Sequence, residues 1–117
     1  MSTRKLIQTA TVTVDECGER KQFVLEYYVL ASETHIDGAA FATYGIEVLK
    51  RSHTEFGTLR VEYRKIFDIF CTEKEAIGAA LVLAKNTVTP ISVRDIIEQF
   101  IGTTEFECEE YEIAAIS

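Results

Sequence analysis

The hydrophobic pattern of this chain changes period near residue 72. Before that point apolar and polar residues alternate with a period of two, as in a strand with one buried face and one wet face. In KLIQTATVTV, Lys5 to Val14, one side carries Leu6, Gln8, Ala10, Val12 and Val14, and the other carries Ile7 and three threonines. These are β-favouring residues, and the segment reads as a strand. DECGER is a turn, because Asp and Gly tolerate the backbone angles of a tight reversal. KQFVLEYYVLAS follows as a second strand with Phe23, Leu25, Tyr27 and Val29 on one face, pairing with the first as a hairpin. ETHIDGA reads as a loop, and AFATYGIEVLKR as a third strand that sets Tyr44, Ile46 and Val48 against Thr43, Glu47 and Leu49. After a turn at SHTEFGT, the fourth strand LRVEYRKIFDIF has the cleanest alternation. It assigns Leu59, Val61 and Tyr63 to the core and Arg60, Glu62 and Arg64 to solvent.

Beyond residue 72 the spacing becomes helical. Thr72 and Glu75 form a capping box, which starts a helix at Glu73 that runs to about Lys85 with Ala76, Ile77, Ala80, Leu81 and Ala84 on one stripe. Pro90 bars the α conformation for Thr89. Ser92 then caps a second helix, Val93 to Ile101, with Asp95 as its box partner and Gly102 as its stop. The expected fold is α+β: an antiparallel meander sheet of four or five strands with two C-terminal helices packed on one face. Residues 1–102 make the single domain and 103–117 an acidic C-terminal segment. In that segment Phe106 with Cys108 and Tyr111 with Ile113 alternate with glutamates, so it reads either as an added strand, bulged at Glu109-Glu110, or as a loose tail.

With 117 residues, 47% hydrophobic and a single proline, the chain has the composition of one ordered globular domain. Its opening residues show neither a signal-peptide core nor a membrane span, so a cytosolic protein with no membrane association is expected. Cys17, Cys71 and Cys108 are odd in number and widely spaced, which favours free thiols over a disulfide framework or a zinc knuckle. The net charge is −7; five glutamates with no Lys or Arg in residues 103–117 account for −5 of it, leaving the body nearly neutral.

That neutrality bears on the two-helix segment, which has the outline of a DNA-reading helix-turn-helix. Residues 72–102 hold Lys74, Lys85 and Arg94 against Glu73, Glu75, Asp95 and Glu98, and the six-residue connector Asn86–Ile91 is longer than that motif uses. Two amphipathic helices packed on a sheet is the better reading. A separate basic patch, Lys50, Arg51, Arg60, Arg64 and Lys65 on strands three and four, resembles a platform for single-stranded nucleic acid, although Glu47, Glu55 and Glu62 interleave with it. His35 and His53 lie in separate loops away from the cysteines, so no catalytic pair is expected. No metal-ligand spacing, phosphate-cradling loop or dinucleotide fingerprint is present, and no cofactor is expected.

Taken in order, Glu26-Tyr27-Tyr28, Tyr44-Gly45-Ile46-Glu47, Val88-Thr89-Pro90 and the segment Asp95 to Phe100 resemble a family of small bacterial proteins known only as a domain of unknown function. The resemblance spans about Glu26 to Ile101. It implies a single-domain cytosolic protein of Gram-positive-type bacteria and supplies no activity or catalytic residue. It also directs attention to one surface, where Tyr27 or Tyr28, Tyr44 and the connector would meet. The sequence therefore leads to a non-enzymatic protein-interaction or regulatory module, with Tyr28, Tyr44, Arg60, Arg64, Thr89 and Pro90 as candidate partner-binding residues. A protein partner or a second copy is the expected ligand. Nucleic-acid binding through the basic patch is the alternative.

Overall fold

Strand length sets the size of this molecule. The computed structural model describes residues 2–54, 56–101 and 109–116. Its chain order is β1 (Ser2–Glu16), β2 (Glu19–Ile36), β3 (Ala39–His53), β4 (Leu59–Phe70), α1 (Glu73–Lys85), α2 (Val93–Ile101) and β5 (Glu109–Ile116). The five strands lie side by side in sequence order, all antiparallel, so the fold is the expected α+β meander followed by two helices. At about 3.3 Å per residue, the 18 residues of β2 span roughly 59 Å. The long dimension of the molecule is 57 Å.

Tight turns allow such long strands. Cys17-Gly18 and Asp37-Gly38 both take positive φ, the conformation that matches a two-residue hairpin to the twist of its strands. The loop expected over ETHIDGA thus shrinks to Asp37-Gly38, with Ile36 paired to Ala39. Because β1 first pairs at Ser32 and β4 last pairs at Tyr44, residues Glu33–Ala42 pair only with each other and project as a two-stranded arm.

Both helices lie on one face. Their buried residues Ala76, Ala80, Leu83, Ala84, Val93 and Ile97 pack with Leu25, Tyr27, Val29, Ile46, Val48 and Ile66 of the sheet. Thr72 Oγ1 accepts from the Glu75 amide at 3.2 Å, so Thr72 is the N-cap, and the Glu75 carboxylate accepts from the Thr72 hydroxyl at 2.9 Å rather than from the Thr72 amide that a full capping box would use. At the other end Val88 N–H donates to Leu83 O and Thr87 N–H to Ala84 O, the Schellman pattern, with Thr87 in the left-handed region at φ 47° where glycine is usual. Within α1 the buried leucine is Leu83; Leu81 is 44% exposed, because the stripe is centred on the small alanines that approach the sheet.

Two sidedness expectations are corrected by register. A bulge at Ile7 pairs Leu6 with Tyr28 and Gln8 with Tyr27, which puts Ile7 against the core and turns Leu6 outward. In β4, Arg64 pairs with buried Val48 and Glu62 with Lys50, so Arg60, Glu62 and Arg64 lie on the helix side, while Val61 and Tyr63 lie on the opposite face. Alternation shows that a strand has two sides, and only pairing says which side faces the helices. The acidic segment is a strand over Glu109–Ile116, and its register with β4 runs unbroken from Ile66 opposite Glu109 to Leu59 opposite Ile116, with no bulge at Glu109-Glu110. Phe106 and Cys108 lie outside the described residues.

Gly45 is the tightest point of the sheet. A Cβ there would sit 2.1 Å from Ile66 O and 2.9 Å from Phe67 Cα, both backbone atoms, where the β3–β4 register shifts and Asp68 takes positive φ. Replacing Gly45 by Ala is therefore expected to lower unfolding free energy by about 3 kcal/mol, because backbone must move to admit the methyl group. Urea denaturation of the variant and the parent checks this.

Candidate functional site

Direct cross-strand partners share a face, so register assigns every side chain of the meander to one of two surfaces. The helix-free face receives Arg4 and Leu6 from β1, Glu26, Tyr28 and Leu30 from β2, Glu47, Leu49 and Arg51 from β3, and Val61, Tyr63 and Lys65 from β4. Leu30, Leu49 and Val61 are buried there by their neighbours, although none belongs to the helix-covered core.

A chain of alternating charge crosses this face. Arg4 Nε lies 2.9 Å from Oε1 of Glu47, whose side chain is 2% exposed. The same guanidinium sits 3.8 Å above the Tyr28 ring. Tyr28 Oη donates to Glu26 Oε1, and Arg51 Nε donates to Glu26 Oε2 at 2.6 Å. A carboxylate as buried as Glu47 needs a cation within contact distance, and Arg4 supplies it. Burial pushes the Glu26 carboxyl up, but the hydrogen bonds from Tyr28 and Arg51 outweigh burial and hold it below the usual carboxylate range. Burial and the bond to Glu26 push the Tyr28 phenol up. Arg4 and Arg51 are thus each paired with a carboxylate inside the face. The exposed apolar side chains Leu6, Ile36 and Phe41 share this side of the sheet, Leu6 opposite Tyr28 and the last two out on the projecting arm, where the alternation from Leu30 and Glu47 carries them.

The six candidate residues do not meet on one surface. Tyr28 lies in the charge chain, whereas Tyr44 is half-buried against the helix-side core. Arg60, on the helix side, holds Glu62 at 3.2 Å, and Arg64 is half-buried on that same side across from Val48. Thr89 and Pro90 lie in the helix connector, Pro90 fully buried. The tyrosine that reaches the connector is Tyr27, whose hydroxyl donates to Val88 O at 2.9 Å. The basic patch divides in the same way. Lys50, Arg60 and Arg64 are on the helix side, with Lys50 4.5 Å above the Phe23 ring, while Arg51 and Lys65 are on the free face, with Lys65 5.4 Å from the Tyr63 ring.

Sequence reasoning passed over Arg4, since its partner Glu47 is 43 positions away and is brought near only by pairing through β2. An open groove of about 620 Å³ runs along the connector beside Val82, Asn86, Thr87, Thr89, Ser92 and Gln99, whose polar groups are all neutral. His35 Nε2 lies 3.5 Å from Glu33 on the exposed arm rather than in a cleft. Among the described residues no group of three His, Cys, Asp or Glu side chains is placed to hold a metal, and no helix is long and apolar enough to cross a membrane.

Two measurable consequences follow from these contacts. Tyr27→Phe leaves the Val88 carbonyl buried without its donor and is expected to lower stability by about 1–3 kcal/mol. Burial raises the Tyr27 phenol far above its ordinary value of about 10, so the parent loses stability as pH rises past that value, where only the unfolded chain ionises this group; the variant loses less over the same alkaline range in denaturation titrations. Glu26 has the opposite sign. Its folded carboxyl is depressed, so its contribution is full above the ordinary value of 4.5 and fades as pH falls through the lower folded value, and Glu26→Gln is expected to flatten the acid limb of the stability profile.

Comparison with the curated proteins and with the solved structures gives no match. One family model matches residues 4–103, a span that begins at the arginine of the charge chain, takes in β2 to β4 and both helices, and stops before β5. The chain belongs to the family of unknown function DUF6514.

Proposed function

We propose that this protein is a non-enzymatic module that docks a protein partner on the sheet face opposite its helices. The observation that carries the reading is the composition of that face: its arginines are paired with its carboxylates, Arg4 with Glu47 and Arg51 with Glu26, while Leu6, Ile36 and Phe41 stand exposed on the same side at 50%, 57% and 50%. A polyanion needs unpaired cations, whereas a protein surface is recognised by apolar anchors set in a neutral polar frame. The division of the basic patch between two faces supports the same reading. The exposed free thiols Cys17 and Cys71 suit a reducing, cytoplasmic compartment.

A photo-crosslinking residue at Phe41, compared in living cells with one at Leu81 on the outer side of α1, tests the surface. Discrete protein adducts are expected from position 41 and not from position 81, and Ile36→Asp introduced beside the probe is expected to remove them. Equal labelling from both positions, or salt-sensitive retention of the parent on an oligonucleotide column, overturns the reading.

A further inference from the structure

We infer that the outer edge of β4 is a strand-acceptor site, that β5 is its resident cover, and that an extended acidic segment of a partner protein takes the same place when β5 leaves. This inference goes beyond the docking reading and concerns an edge of the sheet rather than its open face. β4 is bonded to β3 along one side and to β5 along the other, and β5 is the last strand of the sheet. The family match ends at residue 103, so β4 is the last strand inside the matched span and β5 lies wholly beyond it. Residues 102–108 separate β5 from Ile101, where α2 ends. β5 is therefore an appended strand paired along one edge, which is how a peptide is added to a sheet from outside.

Charge selects an acidic strand for this edge. Over Leu59–Ile66, the stretch that β5 covers, β4 has Arg60, Arg64 and Lys65 against Glu62. Glu62 is answered within the strand by Arg60 at 3.2 Å, so the excess charge along the edge is positive. β5 has Glu109, Glu110 and Glu112 and no base. The register sets Glu110 opposite Lys65 and Tyr111 opposite Arg64, so the acidic half of β5 runs along the basic half of the β4 edge. Opposite charges favour such a pairing and like charges oppose it. An uncovered β4 would invite strands indiscriminately, since Leu59 to Ile66 has neither proline nor glycine to blunt it. A partner strand makes the same backbone bonds that β5 makes, so occupancy is decided by side-chain match and by concentration. A strand tethered through a short linker is present at an effective concentration of about a millimolar, and β5 holds the edge against dilute competitors until its own pairing is weakened.

Hydrogen exchange followed by NMR, and peptide binding to the full chain, test the inference. In the parent, β4 amides bonded to β5 are expected to exchange about tenfold faster or more than β4 amides bonded to β3, because β5 leaves without the rest of the sheet. Ile113→Pro with Ala114→Pro opens the edge: adjacent amides point to opposite sides of a strand, so one of the two prolines removes a bond to β4. A fluorescent peptide with the sequence of residues 109–116 is expected to bind this variant about tenfold more tightly than the parent, since the tethered competitor is gone. The same peptide with its three glutamates replaced by lysine is expected to bind about tenfold more weakly. Circular dichroism checks that the proline variant is folded. If it is not, Glu110→Lys carries the test: it is expected to speed exchange of the β5-bonded β4 amides about fivefold, and Lys65→Glu added to it is expected to restore the parental rate. Uniform exchange along β4 in the parent, a folded proline variant that ignores the peptide, equal binding of the glutamate and lysine peptides, or no rescue by Lys65→Glu overturns the inference.

Discussion

The hydroxyl of Tyr27, buried at the centre of the sheet and donating to the carbonyl of Val88, determines where the helices sit. That carbonyl belongs to the connector just past the last turn of α1, so one bond ties the C-terminal end of α1, and through Pro90 the start of α2, to the middle of β2. The surrounding contacts are apolar and non-directional; a phenol in a dry site must find its acceptor, which gives this packing its registration. Once α1 and α2 are anchored there, the odd-numbered residues of β2 from Phe23 to Ala31 become the inner face, and every neighbouring strand inherits its sidedness through pairing.

The free face follows from the same constraint. Residues one position away, Glu26, Tyr28 and Leu30, are turned from the helices and need other partners, which arrive from β1 and β3. Arg4 spans to Glu47 over Tyr28, and Arg51 holds Glu26, so a row of charges becomes a closed set of pairs. Gly45 makes the next step possible: without a side chain it lets the β4 backbone bend close across β3, and the bend shifts the far end of β4 by the residues around Asp68. The result is a long sheet with one face packed by helices and one amphipathic face whose arginines are paired.

Much of the fold was written locally. The period of two before residue 72, the N-cap at Thr72, the stop at Pro90 and the glycine turns each depend on neighbours within a few positions, and strands, helices and their order follow from them. The Asp37-Gly38 pair also carried a hairpin signal that a broad loop reading of ETHIDGA understated. The resemblance carried by the Tyr-Gly-Ile-Glu and Val-Thr-Pro segments had the same local character, and the family match covers both.

The sequence by itself therefore determined the elements, the near-neutral body and the absence of a concentrated basic or catalytic motif, because composition and short-range periodicity are properties of the chain alone. Tertiary structure decided which side of each strand is inside, that Tyr27 rather than Tyr28 meets the connector, that Arg4 belongs with Glu47, and that the five bases of strands three and four part to opposite faces. Those outcomes hinge on strand register and on single-residue bulges. A shift of one position there reverses every side chain beyond it while leaving the local alternation unchanged.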